Sequence, residues 1–572
     1  QELQALAAMY REAQRVRQHG FTATEYDRMK AEYLSQLESA YQNRNKIKND
    51  QFGDEYRDNY LDNEPIPGIE TEYQIMTQII PMLSVDMINE YAKDLISDND
   101  TNLVVTLYEQ EKEGKVYPTE AQMQQAINGV RTETIDAYVD NVKNEPLIDE
   151  TKLPKAGKIV SEKDNATFGY KELTLSNGAR VILKKTDFKE NEIQFQAMAR
   201  GGKSLYGDAD NINLKYFNTV IGTCGLGNFT NKELEKALLG KQASVGVGLG
   251  GKYQYLSGWS VPKDLETMMQ LIYLNFTAVN KDEDNYKSTM AQLELGLKNK
   301  GLSPESAFSD SLTCAIYNHS LRHAPMEYSD LAQINYDRIL QIQKERFANA
   351  GQFTFYFIGN FDEAAIRPLI EKYIACLPKG KPGKWVDDDP LAKGIINNNF
   401  KRKSETPKAM ASDFYHMPIE YNVENSVIAD AAGQVLSMVY LKSIREDASA
   451  AYSVGAYGSV NRVGSKAYVQ LFDQCPMDPN KSELALSLLA SGIKDCAKQV
   501  DADKVEKIKA NMLKNLDEEL KTNGYWMNVI DEYLETGVDL YTNYRKAVET
   551  LTPEKISNFL QKVLDSKNHI QV

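Results

Sequence analysis

The feature that most constrains this chain is a segment used three times. It reads "LSVDMINEYAKDLISDNDTNLVVTL" from Leu83, "INYDRILQIQKERFANAGQFTFYFIG" from Ile334 and "LTPEKISNFLQKVLDSKNHIQV" from Leu551. Each copy opens with an apolar residue, then a cap candidate (Ser84, Asn335, Thr552), then an acid two positions on (Asp86, Asp337, Glu554). A short polar side chain at the cap accepts from a free backbone N–H, and the acid meets the positive end of the helix dipole. Apolar residues follow at helical spacing, Ile88 and Tyr91, Ile339 and Ile342, Ile556 and Phe559, before a polar break and a β-branched or aromatic run. The unit is therefore expected to be a helix followed by a strand. Its recurrence implies related domains, and a chain of 572 residues exceeds what one hydrophobic core usually serves.

Upstream of each copy lies another long amphipathic pattern: "TATEYDRMKAEYLSQLESAYQN", "DEDNYKSTMAQLELGLKNK" and "DADKVEKIKANMLKNLDEELKTN". Tyr26, Met29, Leu34 and Leu37 match Val505, Ile508, Leu513 and Leu516 at one constant offset, and the middle copy fits more loosely. Only the second and third copies have a front half. "YKELTLSNGARVILKKTDF" alternates around the turn signal Asn177-Gly178 and leads into "EIQFQAMARGG", which reads as paired strands. "PKAMASDFYHMP" precedes a helix through "NSVIADAAGQVLSMVYLKSIRE", then "AYSVGAYGSV" and "SKAYVQLFDQ" as strands. The expected fold class is α+β: two complete units, 164–383 and 384–572, preceded by the tail of another at 1–111 and a partly helical linker at 112–163. "PKGKPGKW", Pro378 to Trp385, marks a surface connection between the complete units.

A formal charge of −15 argues against a nucleic-acid backbone as partner. No apolar run approaches the roughly 18 residues that suggest a membrane span, so a soluble chain without one is expected. Cys224, Cys314, Cys376, Cys475 and Cys496 are odd in number and never in C-x-x-C spacing, so they read as buried small hydrophobes or free thiols. The sequence begins at Gln1 inside a helical pattern, which leads us to expect a fragment or a processed product.

Two patterns imitate ligand sites. His319 and His323 are four apart, with Glu327 at the same interval, but Pro325 interrupts the helix and no acid stands between the histidines, so two ordinary histidines near a helix end are expected. "GVGLGG", Gly246 to Gly251, lies in a strand-like run and precedes "KYQYLSGWS" rather than a helix that could hold phosphate. The acidic run Asp387 to Asp389 reads as solvated linker.

"IREDASAAYSVGA" resembles the arginine–tyrosine motif in the last domain of the M16 zinc metallopeptidases, the pitrilysin and insulin-degrading enzyme family. "ERFANAGQFTFYFIGNFDEAAIRPLIEKYIACLP", "RQHGFTATEYDRMK" and "EPIPGIETEY" are similar to other family segments, so the likeness covers nearly the whole chain. The resemblance implies repeated M16-type α+β domains joined as two halves around a closed chamber, with this chain running from the end of a second domain through a third and a fourth. It also implies a zinc metalloendopeptidase of unstructured peptides, in a periplasmic or secreted setting. The family's zinc motif, H-x-x-E-H, does not occur here, and no histidine lies between His19 and His319. Zinc is therefore expected on a missing N-terminal half, with no metal or cofactor on this chain, and "NINLKYFNTVIGTCGLGNFTNKELEKALLGK" carries Leu, Tyr and Phe where ligands would be needed. Read from the residues alone, Arg445 complements a helix C-terminus and Tyr452 is a half-buried strand aromatic. By the resemblance, Tyr452 donates to the oxyanion of the tetrahedral intermediate, and Arg445 holds a substrate carbonyl or orients the tyrosine. The alternative is a catalytically inactive scaffold or peptide-binding subunit of the same fold.

Overall fold

The computed structural model describes residues 1–109, 114–380, 384–386, 391–404, 406–463 and 465–572. The acidic run Asp387 to Asp389, part of the Pro378 to Trp385 connection, and the domain limits drawn at 111, 112 and 383 lie outside these described residues. The chain divides into two compact units, residues 1–147 with 232–242, and residues 148–231 with 243–572.

The first unit is helical, from Glu2–His19 through Ala23–Gln42 and Val85–Leu95 to Glu120–Arg131. Caps behave as their chemistry dictates. Thr22 and Glu25 form a reciprocal capping box, and Ser84 accepts from the N–H of Met87. Tyr10, Ile127, Val130 and Ile135 make a small core, so the helix Glu120–Arg131 of the expected linker packs on the first helix of the chain. The strand expected after Val85–Leu95 does not form: residues 103–109 belong to no ladder, and Val104 and Tyr108 are 85% and 89% exposed. An apolar run becomes a strand only where another strand offers backbone partners, and this unit holds none among the described residues.

The second unit contains two mixed sheets. The first comprises β1 (Ile159–Asn165), β2 (Tyr170–Leu175), β3 (Arg180–Lys185), β4 (Ile193–Arg200), β5 (Ala243–Leu249), β6 (Tyr253–Ser260) and β7 (Thr354–Gly359), in the order β1-β2-β3-β7-β4-β6-β5. The second comprises β8 (Ile395–Asn397), β9 (Ala409–Ala411), β10 (Asp413–Pro418), β11 (Gly455–Val463), β12 (Lys466–Met477) and β13 (His569–Gln571). Its path is β8-β13-β10-β12, with β9 on the far end of β12 and β11 paired along its length.

The two paths are the same. β3-β7-β4-β6-β5 corresponds to β8-β13-β10-β12-β11, and in each sheet the last strand of the repeat enters between the first and second strands, parallel to one and antiparallel to the other. The inserted strands follow the capped helices Tyr336–Phe347 and Pro553–Asp565, where Asn335 and Thr552 accept as expected. β7 reads "TFYFIG" and is buried along its whole length, which a strand covered on both faces requires. β1, drawn into the linker by its charged sequence, pairs antiparallel with β2.

Helix Asn211–Ile221 buries Tyr216 and Phe217 completely, so the expected aromatic replacement of a ligand helix is a packed core element. In the second sheet the corresponding helix is Val423–Tyr440, capped by Asn422, with Val427, Ala431, Val435 and Leu436 in the core. By length and composition alone Val423–Asp447 is long and apolar enough to cross a membrane, but half of that window is buried in this core. The five cysteines are thiols, three of them buried, and burial pushes Cys475 up to about 12.

Candidate active-site face

Helix Val423–Tyr440 continues into a wider π-helical turn, Leu441–Asp447, that carries Arg445. In this turn the N–H of Ala448 reaches the carbonyl of Ser443 at 3.2 Å, and the N–H of Ala450 reaches Ile444 at 2.8 Å. Such turns recur at functional sites because they re-aim one side chain without breaking the helix. Ser449 follows at φ 48°, a left-handed conformation that costs energy in a non-glycine residue. Surrounding structure holds it there. The carbonyl of Ala450 accepts from Asp478, Lys481 Nζ donates to the carbonyls of Ala448 and Ser449, and Ala451 bridges to Met477.

The consequence is a rigid loop with an exposed tip. Ala450 is fully buried, whereas Tyr452, two residues on, is 87% exposed. Tyr452 is thus neither half-buried nor in a strand, since β11 begins only at Gly455. Arg445 does not cap a helix end by hydrogen bonding. Its guanidinium carbon instead lies 5.7 Å from the centre of the Tyr452 ring, within cation–π range. Both side chains line an open cavity of about 660 Å³ with Lys408, Met410, Ser449 and Met477. Among the described residues neither Arg445 nor Tyr452 has a hydrogen-bonding partner, so a planar fork of N–H donors and a phenol O–H face solvent together.

A second polar cavity, of about 390 Å³, lies where helix Asn523–Thr536 crosses the first sheet, and nothing in the sequence reading singled it out. Trp526, Met527 and Ile530 pack on Phe168, Ile182 and Tyr356. Beyond them Tyr356 donates to Asp531 at 2.6 Å, while Arg200 and Tyr253 both donate to Glu535. Burial raises Asp531 to about 6, aided by Glu532 and Glu535 and opposed by the Tyr356 hydrogen bond and Arg180. Burial raises Glu532 as well. Because the folded pKa of Asp531 lies above the unfolded value, its contribution is fully present below about pH 4 and is lost as pH rises through about 6. Asp531→Asn keeps an acceptor for Tyr356, so it should stabilise the protein above pH 7 by about 2 kcal/mol and flatten the pH dependence between 4 and 7. Melting curves across that range check this; an unchanged slope would place the titration elsewhere.

The metal that the sequence resemblance implies does not fit the residues present. Among the described residues no three His, Cys, Asp or Glu side chains group to hold an ion. Helix Pro304–Ile316 ends before His319, which sits in a turn at φ 54°. His323 stacks on Tyr317 at 3.7 Å, and Glu327 caps the turn Tyr328–Gln333, so the three residues share no helical face. His19 and His416 bond backbone carbonyls, and His569 bonds Asp413. Gly246 and Gly248 lie in β5, where a Cβ on Gly248 would strike the Tyr255 ring, so "GVGLGG" is close-packed strand.

The described geometry has clear relatives. Residues 333–512 match the family described as Peptidase M16 inactive domain. The chain is similar to the probable zinc protease PqqL of Escherichia coli, 23% identical over 569 residues, covering 98% of this chain and 60% of that protein. It is also similar to a zinc protease PQQL-like protein of Arabidopsis thaliana, 26% identical over 366 residues, covering 64% of this chain and 35% of the relative. It therefore spans less than two thirds of the length of either relative. The crystal structure of the periplasmic protease PqqL from Escherichia coli matches 99% of this chain and 62% of its own, with a TM-score of 0.64 at 20% identity. Residues 333–512 thus carry a segment matching the M16 inactive domain, and the chain as a whole is similar in fold to PqqL.

Proposed function

We propose that this chain is the C-terminal, metal-free portion of an M16-type zinc metalloendopeptidase, and that Arg445 and Tyr452 contact the peptide undergoing cleavage. The observation that carries this reading is the pair itself: two donors without hydrogen-bonding partners among the described residues, held by a braced loop, facing one cavity. Zinc, on an N-terminal half outside this chain, would supply activated water. The work of this chain is then electrostatic. As the scissile carbonyl becomes tetrahedral its oxygen gains charge, and Tyr452 Oη donates to that oxygen. Arg445 favours one position of the phenol ring through its cation–π contact and offers its N–H groups to a neighbouring peptide carbonyl. Donors fixed before the reaction stabilise the developing charge without reorganising.

The substrate class is an unstructured peptide short enough to be enclosed between the halves. Similarity to PqqL supports a periplasmic location. The test is hydrolysis of a fluorogenic random-coil peptide by the polypeptide extended at its N-terminus to the length of the Escherichia coli relative. Cleavage should be abolished by a chelator and restored by zinc, while the 572-residue chain alone should show none. Chelator-resistant cleavage, or none from the zinc-loaded extended polypeptide, would defeat the proposal, the second result in favour of a scaffold.

A further inference from the structure

We propose that Asp413 and Asp473 hold one proton between them, on Asp473, in the core of the second sheet, and that losing it loosens helix Val423–Tyr440 from that sheet. The switch is independent of the peptidase reading, although the helix it acts on leads into the turn that carries Arg445.

Geometry distinguishes the two carboxyls. Asp413, on β10, is 1% exposed, and its Oδ1 accepts from His569 Nε2 at 2.6 Å and from Gln571 Nε2 at 2.8 Å. Asp473, on β12, is 4% exposed, and among the described residues its carboxyl accepts only from the backbone N–H of Asp413, at 2.9 Å. Two side-chain donors equip Asp413 for negative charge. Asp473 has none, and a buried carboxylate without donors or a cation is far more costly than the neutral acid.

The surroundings supply no counter-charge. Asp413 and Tyr415 face Asp473 from β10, Cys475 from its own strand and Tyr440 from helix Val423–Tyr440, with Cys496 of helix Ser482–Lys498 beside Tyr440. His569, on β13, stacks on Tyr415 at 4.0 Å and is already bonded to Asp413. Among the described residues no lysine or arginine lines the cavity beside Asp473. That cavity measures about 10 Å³ and is also lined by Tyr415, Leu436, Tyr440, Tyr457 and Ile493. It is at the lower limit for one water, enough to partner a neutral acid and too little to hydrate an anion. Burial first, and the charge of Asp413 next, hold the Asp473 carboxyl well above the usual carboxylate range, against the opposing backbone hydrogen bond.

Ionisation is therefore relieved by opening the cavity to water. Leu436 and Tyr440 belong to the helix and Tyr457 to β11, where Ala456 stands directly opposite Asp473 in the ladder. Opening moves the helix off β11 and β12, and these elements lead to Arg445 and away from Tyr452. The folded value of Asp473 lies above the unfolded one, so its contribution to packing is fully present below about pH 4 and is lost as pH rises through the folded value.

The test compares the 572-residue chain with Asp473→Asn, whose neutral amide keeps an acceptor for the N–H of Asp413. Infrared difference spectra in heavy water at about pH 6 should show one neutral carboxylic-acid carbonyl band that the variant lacks. Asp430, Asp531 and Glu532, which burial also raises, are common to both proteins and cancel. Amide exchange across residues 431–440 and 469–475 should be faster in the parent, by a ratio that grows about tenfold per pH unit from about pH 5 until Asp473 ionises in the folded state. Asp413→Asn keeps an acceptor for His569 and Gln571 and removes the neighbouring charge, so the Asp473 band should titrate at lower pH than in the parent. No band lost in Asp473→Asn would overturn the shared proton, and so would a band in Asp413→Asn that titrates as in the parent, should Asp473→Asn not fold. A lost band with an exchange ratio that stays flat across pH would overturn the action on the helix.

Discussion

Tyr452→Phe should lower kcat of the zinc-containing enzyme by roughly 10²–10³, the loss expected when one oxyanion donor is removed, with little change in KM. Phenylalanine keeps the ring that lies within cation–π range of Arg445, so the substitution isolates the hydroxyl. With Tyr452 87% exposed and without a protein hydrogen bond among the described residues, folding stability should move by less than about 0.5 kcal/mol. Arg445→Lys separates charge from shape. A lysine preserves the positive charge but loses the planar fork, so activity should fall if Arg445 contacts peptide or orients the ring, and hardly change if it only offsets a helix dipole. Steady-state kinetics with matched melting curves decide between these readings. Full turnover in Tyr452→Phe would leave the pair as surface architecture.

What could be read from the sequence divides along the range of the interactions involved. Ser84, Asn335 and Thr552 cap helices where expected, because a cap is settled by residues three apart. The Asn177-Gly178 turn and its flanking strands form for the same reason: Gly178 sits at φ 91° and β2 pairs antiparallel with β3. Strands fail or appear according to partners far away in the chain. Residues 103–109 have the composition of a strand and no ladder, whereas "IVSEKDN" reads as linker and becomes β1 because β2 offers an edge. The setting of Tyr452 departs from its sequence expectation on the same grounds. Its loop is pinned by Met477, Asp478 and Lys481, and the π-helical turn before it leaves no mark in hydrophobic periodicity. The Asp531 cavity leaves no local mark in the sequence, because Tyr356, Arg200 and Glu535 are brought together only by packing of one α+β unit on the other.

Gly458→Ala should be the most damaging small substitution in the second unit, costing about 3 kcal/mol or more and taking activity with it. A Cβ at Gly458 would sit 1.9 Å from the carbonyl oxygen of Ala429, and one at Gly433 would sit 2.2 Å from the nitrogen of Gly458. Both obstacles are backbone, so no rotamer change relieves them. The helix must move off the strand, opening contacts across a core that includes Val427, Ala432, Val460 and Leu471. That helix carries Arg445, and β11 follows Tyr452 directly, so the same displacement changes the spacing of the two donors. A shift of about 1 Å is enough to cost on the order of 10²-fold in rate when catalysis depends on positioned groups. Gly246→Ala is the matched control, because it also lies in an edge strand of the second unit but a Cβ there meets nothing within 4 Å. It should change stability by less than about 1 kcal/mol, the ordinary backbone effect of replacing glycine. Urea denaturation of both variants, followed by near-ultraviolet circular dichroism, gives the comparison. A Gly458→Ala protein with the parent's midpoint would mean that helix and strand can separate without loss, and that the Arg445 to Tyr452 spacing is not set by their contact.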